Sequence, residues 1–189
     1  MSKIVIDARE LRTTTGRYVE RLLHYLQEID NEHKYVVLLK PKDLEEWKPK
    51  NRKFAGMACY FKEFTFAEQI GLLKQIRDIN ADLVHFPMAQ QPILYRGPVV
   101  TTMNDLTTVR FRNPTKNWLV FTIKRWVYIW VNKIVARKSK ALLTYSEFVK
   151  EDVAKFAHVN SRKITVTYLA ADKITDEPEP IEELAGKRF

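Results

Sequence analysis

Short apolar runs alternate with helical stripes along most of the chain. Lys3-Ile4-Val5-Ile6-Asp7 is an apolar strand ending in an acid, and a polar loop from Glu10 to Thr15 follows. Gly16 then opens a helix in which Val19, Leu22, Leu23, Leu26 and Ile29 recur at i, i+3, i+4 spacing, with Asp30-Asn31 as its stop. Tyr35 to Leu39 is the next strand, so the first unit is βαβ, the pattern of a parallel sheet. Further on, the pattern predicts a polar segment from Pro41 to Lys53 with one helical turn around Leu44 and Trp47. It then predicts a strand over Met57–Phe61 and a helix over Phe66–Ile79 with Ile70, Leu73, Ile76 and Ile79 on one face. Strands follow at Asp82–Phe86, closed by Pro87, and at Val99–Met103, with a loop Asn104–Thr107. A long helix from about Thr115 to Arg137, a strand Ala141–Thr144, a helix Glu147–Ala157 behind Ser146 as N-cap, and a strand Arg162–Tyr168 complete the series. The reading is an α/β, Rossmann-like three-layer domain with a mostly parallel sheet of about seven strands.

The long helix departs from an ordinary sheet-covering helix. At about 100° per residue, Leu119, Ile123, Trp126, Val127, Trp130 and Ile134 share one face. Val120, Phe121, Tyr128, Val131 and Val135 carry the apolar arc past half the circumference, with Lys124, Arg125 and Asn132 on or beside the remainder. Covering a sheet takes an apolar stripe only a little over about 100° wide. The surplus calls for a second neighbour: another helix, a second subunit, or the headgroup zone of a bilayer. The plain alternative is a core helix packed on two sides.

Charge sharpens that picture. The formal net charge is +9, from 32 Lys and Arg against 23 Asp and Glu. No Asp or Glu occurs between Leu106 and Ser146, while Arg110, Arg112, Lys116, Lys124, Arg125, Lys133, Arg137, Lys138 and Lys140 do. Those nine equal the whole excess, so the segment suits an anionic partner, unless it is only a solvated face. Lys116, Trp118, Phe121, Lys124, Arg125, Tyr128 and Lys133 are the expected membrane or partner surface. A nucleic-acid partner is not expected. No recognised motif is present, and aromatics confined to one apolar helix do not form a stacking platform.

The remaining composition excludes several classes. With 46% hydrophobic and 29% charged residues in 189, the chain suits one globular domain. The lone Cys59 excludes an internal disulfide framework and fits a reducing, cytoplasmic compartment. The apolar run at the N-terminus is too short for a signal peptide, and no run of about 18 uncharged apolar residues suggests a spanning helix. The first loop has only Gly16, not G-x-G-x-x-G, so no NAD or FAD is expected. His24, His33, His85, His158 and Cys59 have no convincing ligand spacing, so no metal is expected either.

Four passages, in order, carry a likeness. They are Thr15-Gly16-Arg17-Tyr18 ahead of an amphipathic helix, and Asp82-Leu83-Val84-His85-Phe86-Pro87. Then come Val99-Val100-Thr101-Thr102-Met103-Asn104-Asp105-Leu106, and Thr144-Tyr145-Ser146-Glu147-Phe148 followed by Lys163-Ile164-Thr165-Val166. Together they resemble the N-terminal domain of family 4 glycosyltransferases, enzymes of the two-domain GT-B fold. Asn104 stands where that family usually carries a histidine near the donor sugar. Asn donates and accepts hydrogen bonds but does not act as an acid or base near neutral pH. Ala170-Ala171-Asp172 stands where an Asn-Gly pair is frequent.

The resemblance implies the acceptor-side half of a retaining, metal-independent transferase that takes no other cofactor. Asp105 and Asn104 are the candidate catalytic residues, and Gly16, Arg17, Tyr18, His85 and Ser146 the candidate acceptor-binding residues. Asp105 as the cap of the turn after its strand is equally open, and for Ser146 the plain N-cap is the preferred reading. The expected partners are the chain's own C-terminal domain, which would hold most of the nucleotide-sugar donor, and a glycan or lipid-linked acceptor. An anionic membrane surface at the inner membrane face and a second subunit complete the set. Residues 1–172 are expected to form the domain, and 173–189, acidic and proline-rich, an interdomain linker and the start of a missing donor domain. The alternative is a non-catalytic adaptor or partner subunit with a degenerate transferase fold.

Overall fold

In a computed structural model of the protein, the described residues are 1–13, 16–111 and 118–172. The apolar runs form seven strands: β1 (Lys3–Asp7), β2 (Lys34–Leu39), β3 (Phe54–Ala58), β4 (Leu83–Phe86), β5 (Val99–Thr102), β6 (Ala141–Thr144) and β7 (Ile164–Val166). All pair in parallel, in the order β3-β2-β1-β4-β5-β6-β7. Parallel neighbours need crossovers, and helices supply all of them but the β4–β5 connection, where residues 87–98 cross without one: α1 (Gly16–Ile29), α2 (Pro41–Glu46), α3 (Leu73–Ile79), α4 (Thr107–Arg110), α5 (Trp118–Lys138) and α6 (Glu147–Ala157). The α/β, Rossmann-like reading therefore holds.

Strand side chains alternate between the two faces, and both faces are covered. Val5, Leu38, Val84 and Phe86 pack with Leu72, Leu73 and Ile76 on one side. Ile6, Val37 and Leu39 pack with Val19 and Leu23 of α1 on the other. Under β5–β7, Met103, Leu142 and Ile164 meet Ala136 of α5 and Val153 and Ala157 of α6. Asp7 ties the start of the first loop: its carboxylate accepts from the Arg9 backbone N–H at 3.3 Å and from its guanidinium at 2.8 and 2.7 Å.

Several boundaries move. The third strand lies three residues earlier than expected, because the Phe54 ring stacks on Tyr35 at 4.1 Å and fixes the register from Tyr35↔Phe54 to Leu39↔Ala58. Gly56 in its middle masked the strand, yet a Cβ there would meet Leu44 and Trp47 of the α2 region, so its absence lets that element lie close. The helix preceding β4 contains a π-helical segment, Glu68–Leu72. Its wider turn shifts the phase, sending Leu72 into the core and leaving Ile70 exposed, contrary to the predicted face. Ile29, at the last turn of α1, is also exposed. A short α4 replaces part of the expected loop after β5, and a 3₁₀ turn, Ser161–Lys163, shortens the last strand.

The long helix buries the other side from the one its pattern emphasised. Asn132, Val135 and Ala136 are buried, while Ile123, Trp126, Val127 and Trp130 are exposed. Small side chains let the C-terminal half of α5 sit close to the sheet and α6; large Trp side chains do not. Lys116, the first turn expected from Thr115, and the linker 173–189 lie outside the described residues.

Candidate functional site

Strand order reverses at β1 and β4, which are neighbours in the sheet although the chain between them builds β2 and β3. Loops leaving the carboxyl ends of strands on either side of such a point open a crevice, the usual ligand position in an open parallel sheet. Here the crevice is lined by Asp7, Arg9, Glu10, Val19, Glu63, Pro87 and Met88.

Three of the polar side chains at this edge form a chain. His85 Nε2 lies 3.0 Å from Thr102 Oγ1, and the Tyr18 hydroxyl lies 3.1 Å from the same oxygen. Thr102 is fully buried and was not among the sequence candidates; its place at the end of β5, beside the β4 histidine, is the signal that could have found it. With one proton and two lone pairs, the Thr102 hydroxyl either accepts from both partners or donates to one and accepts from the other. Burial pushes the His85 pKa down to about 4, which keeps the imidazole neutral near pH 7. Burial raises the Tyr18 phenol, against the opposing effect of its Thr102 bond. The Tyr18 ring packs edge-on to Tyr145 at 5.1 Å, and burial first, then Tyr18, raises the Tyr145 phenol as well. The group is thus a largely buried, uncharged polar chain at the sheet edge, of a kind that orients hydroxyls rather than carrying charge.

The other candidates divide by what already occupies them. Gly16 is buried at the start of α1, and a Cβ there would collide with the backbone carbonyl oxygens of Leu11 and Glu10. The loop's own backbone therefore requires this glycine. Arg17 and Arg21 both reach Asp172, the former at 2.5 Å. The Ser146 hydroxyl accepts from the Val149 N–H at 3.2 Å and caps α6. Asp105 is exposed and accepts from the Thr107 N–H at 2.8 Å, closing the turn after β5. It also adds, after burial, to the rise of the Tyr128 phenol on α5. Asn104 keeps a buried Oδ1 with no hydrogen-bond partner among the described residues. Its neighbour thus has a turn to hold, while Asn104 has an acceptor to spare.

A buried ionic cluster under the crevice was also missed. Arg9 binds Asp7 at 2.7 Å and Glu68 at 2.8 Å, and its Nη1 donates to the Phe61 carbonyl at 3.0 Å. Burial opposes the Arg9 charge, but Asp7 and then Glu68 outweigh it and hold the guanidinium above its ordinary range. Glu68 is 0% exposed and also accepts from the Phe64 N–H at 3.0 Å and from Gln90. The cluster joins β1, the π-helical segment and the loop after β4, the parts that frame the crevice. Glutamate inside an otherwise amphipathic pattern read as surface, so periodicity gave no hint of it. At the rim, Lys40 is paired with Glu10 at 3.3 Å and Glu63 at 3.0 Å. Among the described residues, no cluster of His, Cys, Asp and Glu side chains could hold a metal ion.

The model of Glycosyltransferase Family 4 matches residues 15–173. The fold is shared with the crystal structure of Anabaena HepE in complex with UDP and glucose (TM-score 0.53, 13% identity), covering 91% of this chain and 45% of that one. A glycosyltransferase from Rickettsia africae is similar too (TM-score 0.53, 16% identity), with 88% and 42% covered. So is the UDP-N-acetylglucosamine 2-epimerase of Rickettsia bellii (TM-score 0.50, 12% identity), with 88% and 44% covered. The chain thus spans less than half the length of these structures. No curated protein sequence matches it significantly.

Proposed function

The chain belongs to Glycosyltransferase Family 4, and from that premise we propose that it is the acceptor-side half of a transferase. It would move a sugar from a nucleotide-sugar donor to a glycan or lipid-linked acceptor, retaining anomeric configuration and using no metal. The observation that carries the reading is the meeting of three elements at one sheet edge, within a chain matched to the family over 15–173. Tyr18 of α1, His85 of β4 and Thr102 of β5 share one hydroxyl there. HepE, in its complex with UDP and glucose, supports a nucleotide-sugar donor.

The described side chains suit recognition of an acceptor better than stabilisation of a diphosphate. A neutral histidine and two hydroxyls match sugar hydroxyls in kind, and the spare Asn104 oxygen offers one more acceptor. Arg9, Arg17 and Lys40 are already paired with carboxylates. Charge on a leaving diphosphate is best met by preorganised cations and helix N-termini. In this reading those come from a C-terminal domain, and the half-chain alone does not turn over.

The test is sugar transfer and donor hydrolysis with a panel of nucleotide sugars, comparing the 189-residue chain with the full product of its gene. Transfer only in a longer protein supports the half-enzyme. Turnover by the 189 residues alone overturns it, and inactivity of both favours a non-catalytic adaptor.

A further inference from the structure

Helix α5 is bound to the domain by one side only. Asn132, Val135 and Ala136 are buried, and α5 is held to neighbouring elements by Arg125 Nε donating to the Val109 carbonyl at 2.7 Å and Arg137 Nε to that of Ala157 at 2.9 Å. Helix geometry places Ile123, Trp126, Val127 and Trp130 within an arc of about 100° on the opposite side. All four are exposed, Trp126 at 69% and Trp130 at 57%, and Trp118 in the first turn is exposed at 62%. A helix that has already buried one face normally turns polar side chains to water on the other. This one presents indole and aliphatic groups instead, a contiguous apolar strip of the kind that marks an interaction surface.

Charge decides the occupant. By the same geometry Lys133 borders the strip on one edge and Lys124 on the other. The segment from Leu106 to Ser146 has no acidic residue. Of its cations, only Arg110 is neutralised among the described residues, by Asp152. Arg125, Arg137 and Lys138 donate to backbone carbonyls, which fixes them without cancelling their charge. Two copies joined through this strip would bring Lys against Lys with no carboxylate between them. An anionic bilayer surface has the matching chemistry, with indoles at the headgroup level and lysine stems extending to the phosphates. Among the described residues no helix is long and apolar enough to cross a membrane, so contact means lying in the surface.

We infer that α5 docks flat on an anionic bilayer through Ile123, Trp126, Val127 and Trp130, flanked by Lys124 and Lys133. Because α4, which follows Asn104 and Asp105, is tied to α5 at Val109, docking holds the end of β5 at the headgroups. Of the acceptors left open by the proposed transferase reading, on which this consequence rests, the lipid-linked kind fits.

The experiment is flotation of the 189-residue protein with phosphatidylcholine vesicles, with and without phosphatidylglycerol. Trp126→Ser/Trp130→Ser and Lys124→Glu/Lys133→Glu variants are run beside it, and circular dichroism checks their fold. Flotation is expected with anionic vesicles alone, weakened by salt and reduced roughly tenfold or more by either double variant. No flotation, equal flotation on neutral vesicles, or a Trp double variant that floats normally overturns the docking. So does a lipid-independent dimer in sedimentation that the Trp double variant dissolves, which would make the strip a contact between copies. The readout needs no sugar transfer. Flotation with a later-found soluble acceptor would leave the docking standing and discard only the lipid-linked consequence.

Discussion

His85 Nε2 and Thr102 Oγ1 lie 3.0 Å apart across the β4–β5 pair, and the same hydroxyl is shared with Tyr18. The contact exists with a neutral imidazole, since burial lowers the His85 pKa from 6.5 to about 4. That difference makes stability depend on pH. Above 6.5 both folded and unfolded chains hold the ring neutral, and the contribution is fully present. As pH falls from 6.5 towards 4 the unfolded chain takes up the proton first, so the folded state loses ground. The gap corresponds to at most roughly 3 kcal/mol. Urea melts across that range should show the loss in the native chain and a shallower slope in His85→Gln, which keeps a polar amide but does not titrate. Parallel slopes would mean that His85 is accessible to protons in the fold.

Gly16→Ala tests why the first loop carries its glycine. The new Cβ would meet two backbone carbonyls, Leu11 and Glu10, at distances no side-chain rotation relieves. Helix propensity alone would favour alanine by up to about 1 kcal/mol. Overpacking against backbone should reverse that sign and cost about 1–3 kcal/mol. A variant as stable as the parent would show that the loop yields, and would return the glycine to a role in ligand approach.

Ser146→Ala separates capping from ligand contact. Loss of the bond to the Val149 N–H should lower stability by about 1 kcal/mol, and Ser146→Asp should restore it. Unchanged thermal stability combined with weaker acceptor use would make Ser146 a binding residue instead.

What the sequence made legible follows from how each element is stabilised. β1, β6 and α6 were placed to the residue because their signals are local: a pure apolar run, or a serine cap before a helix. Tyr18 and His85 are grouped by the family resemblance, whereas Thr102 between them depends on which strands are neighbours. β3 was misplaced because its register is set by Phe54 stacking on Tyr35, a contact between strands. Ile70 was assigned to the core because one π-helical segment breaks the period used to assign it. For α5 the periodicity found the apolar strip but not its direction. Both sides are apolar, and the tighter fit of Val135 and Ala136 decides which one is buried. Arg9 and Glu68 lie 59 residues apart, and no pattern in the chain links them.

That pair supplies the last prediction. Glu68 receives only donors: the Arg9 guanidinium, the Phe64 N–H and the Gln90 amide. Glu68→Gln keeps the shape but offers one acceptor oxygen and turns an NH₂ towards those donors. The loss should therefore approach that of breaking a buried pair, about 3–5 kcal/mol, although no atom is removed. Arg9→Met leaves Asp7 and Glu68 buried without their cation and should cost a similar amount. Arg9→Met/Glu68→Gln removes both charges, so its cost should fall short of the two single costs added, with a coupling of about 1–3 kcal/mol. The double variant should still melt below the parent, because Asp7 loses its guanidinium in either case. Urea midpoints for the four proteins give the cycle directly. Additive costs, or a Glu68→Gln midpoint equal to the parent's, would mean the cluster is not what holds the π-helical segment to the end of β1.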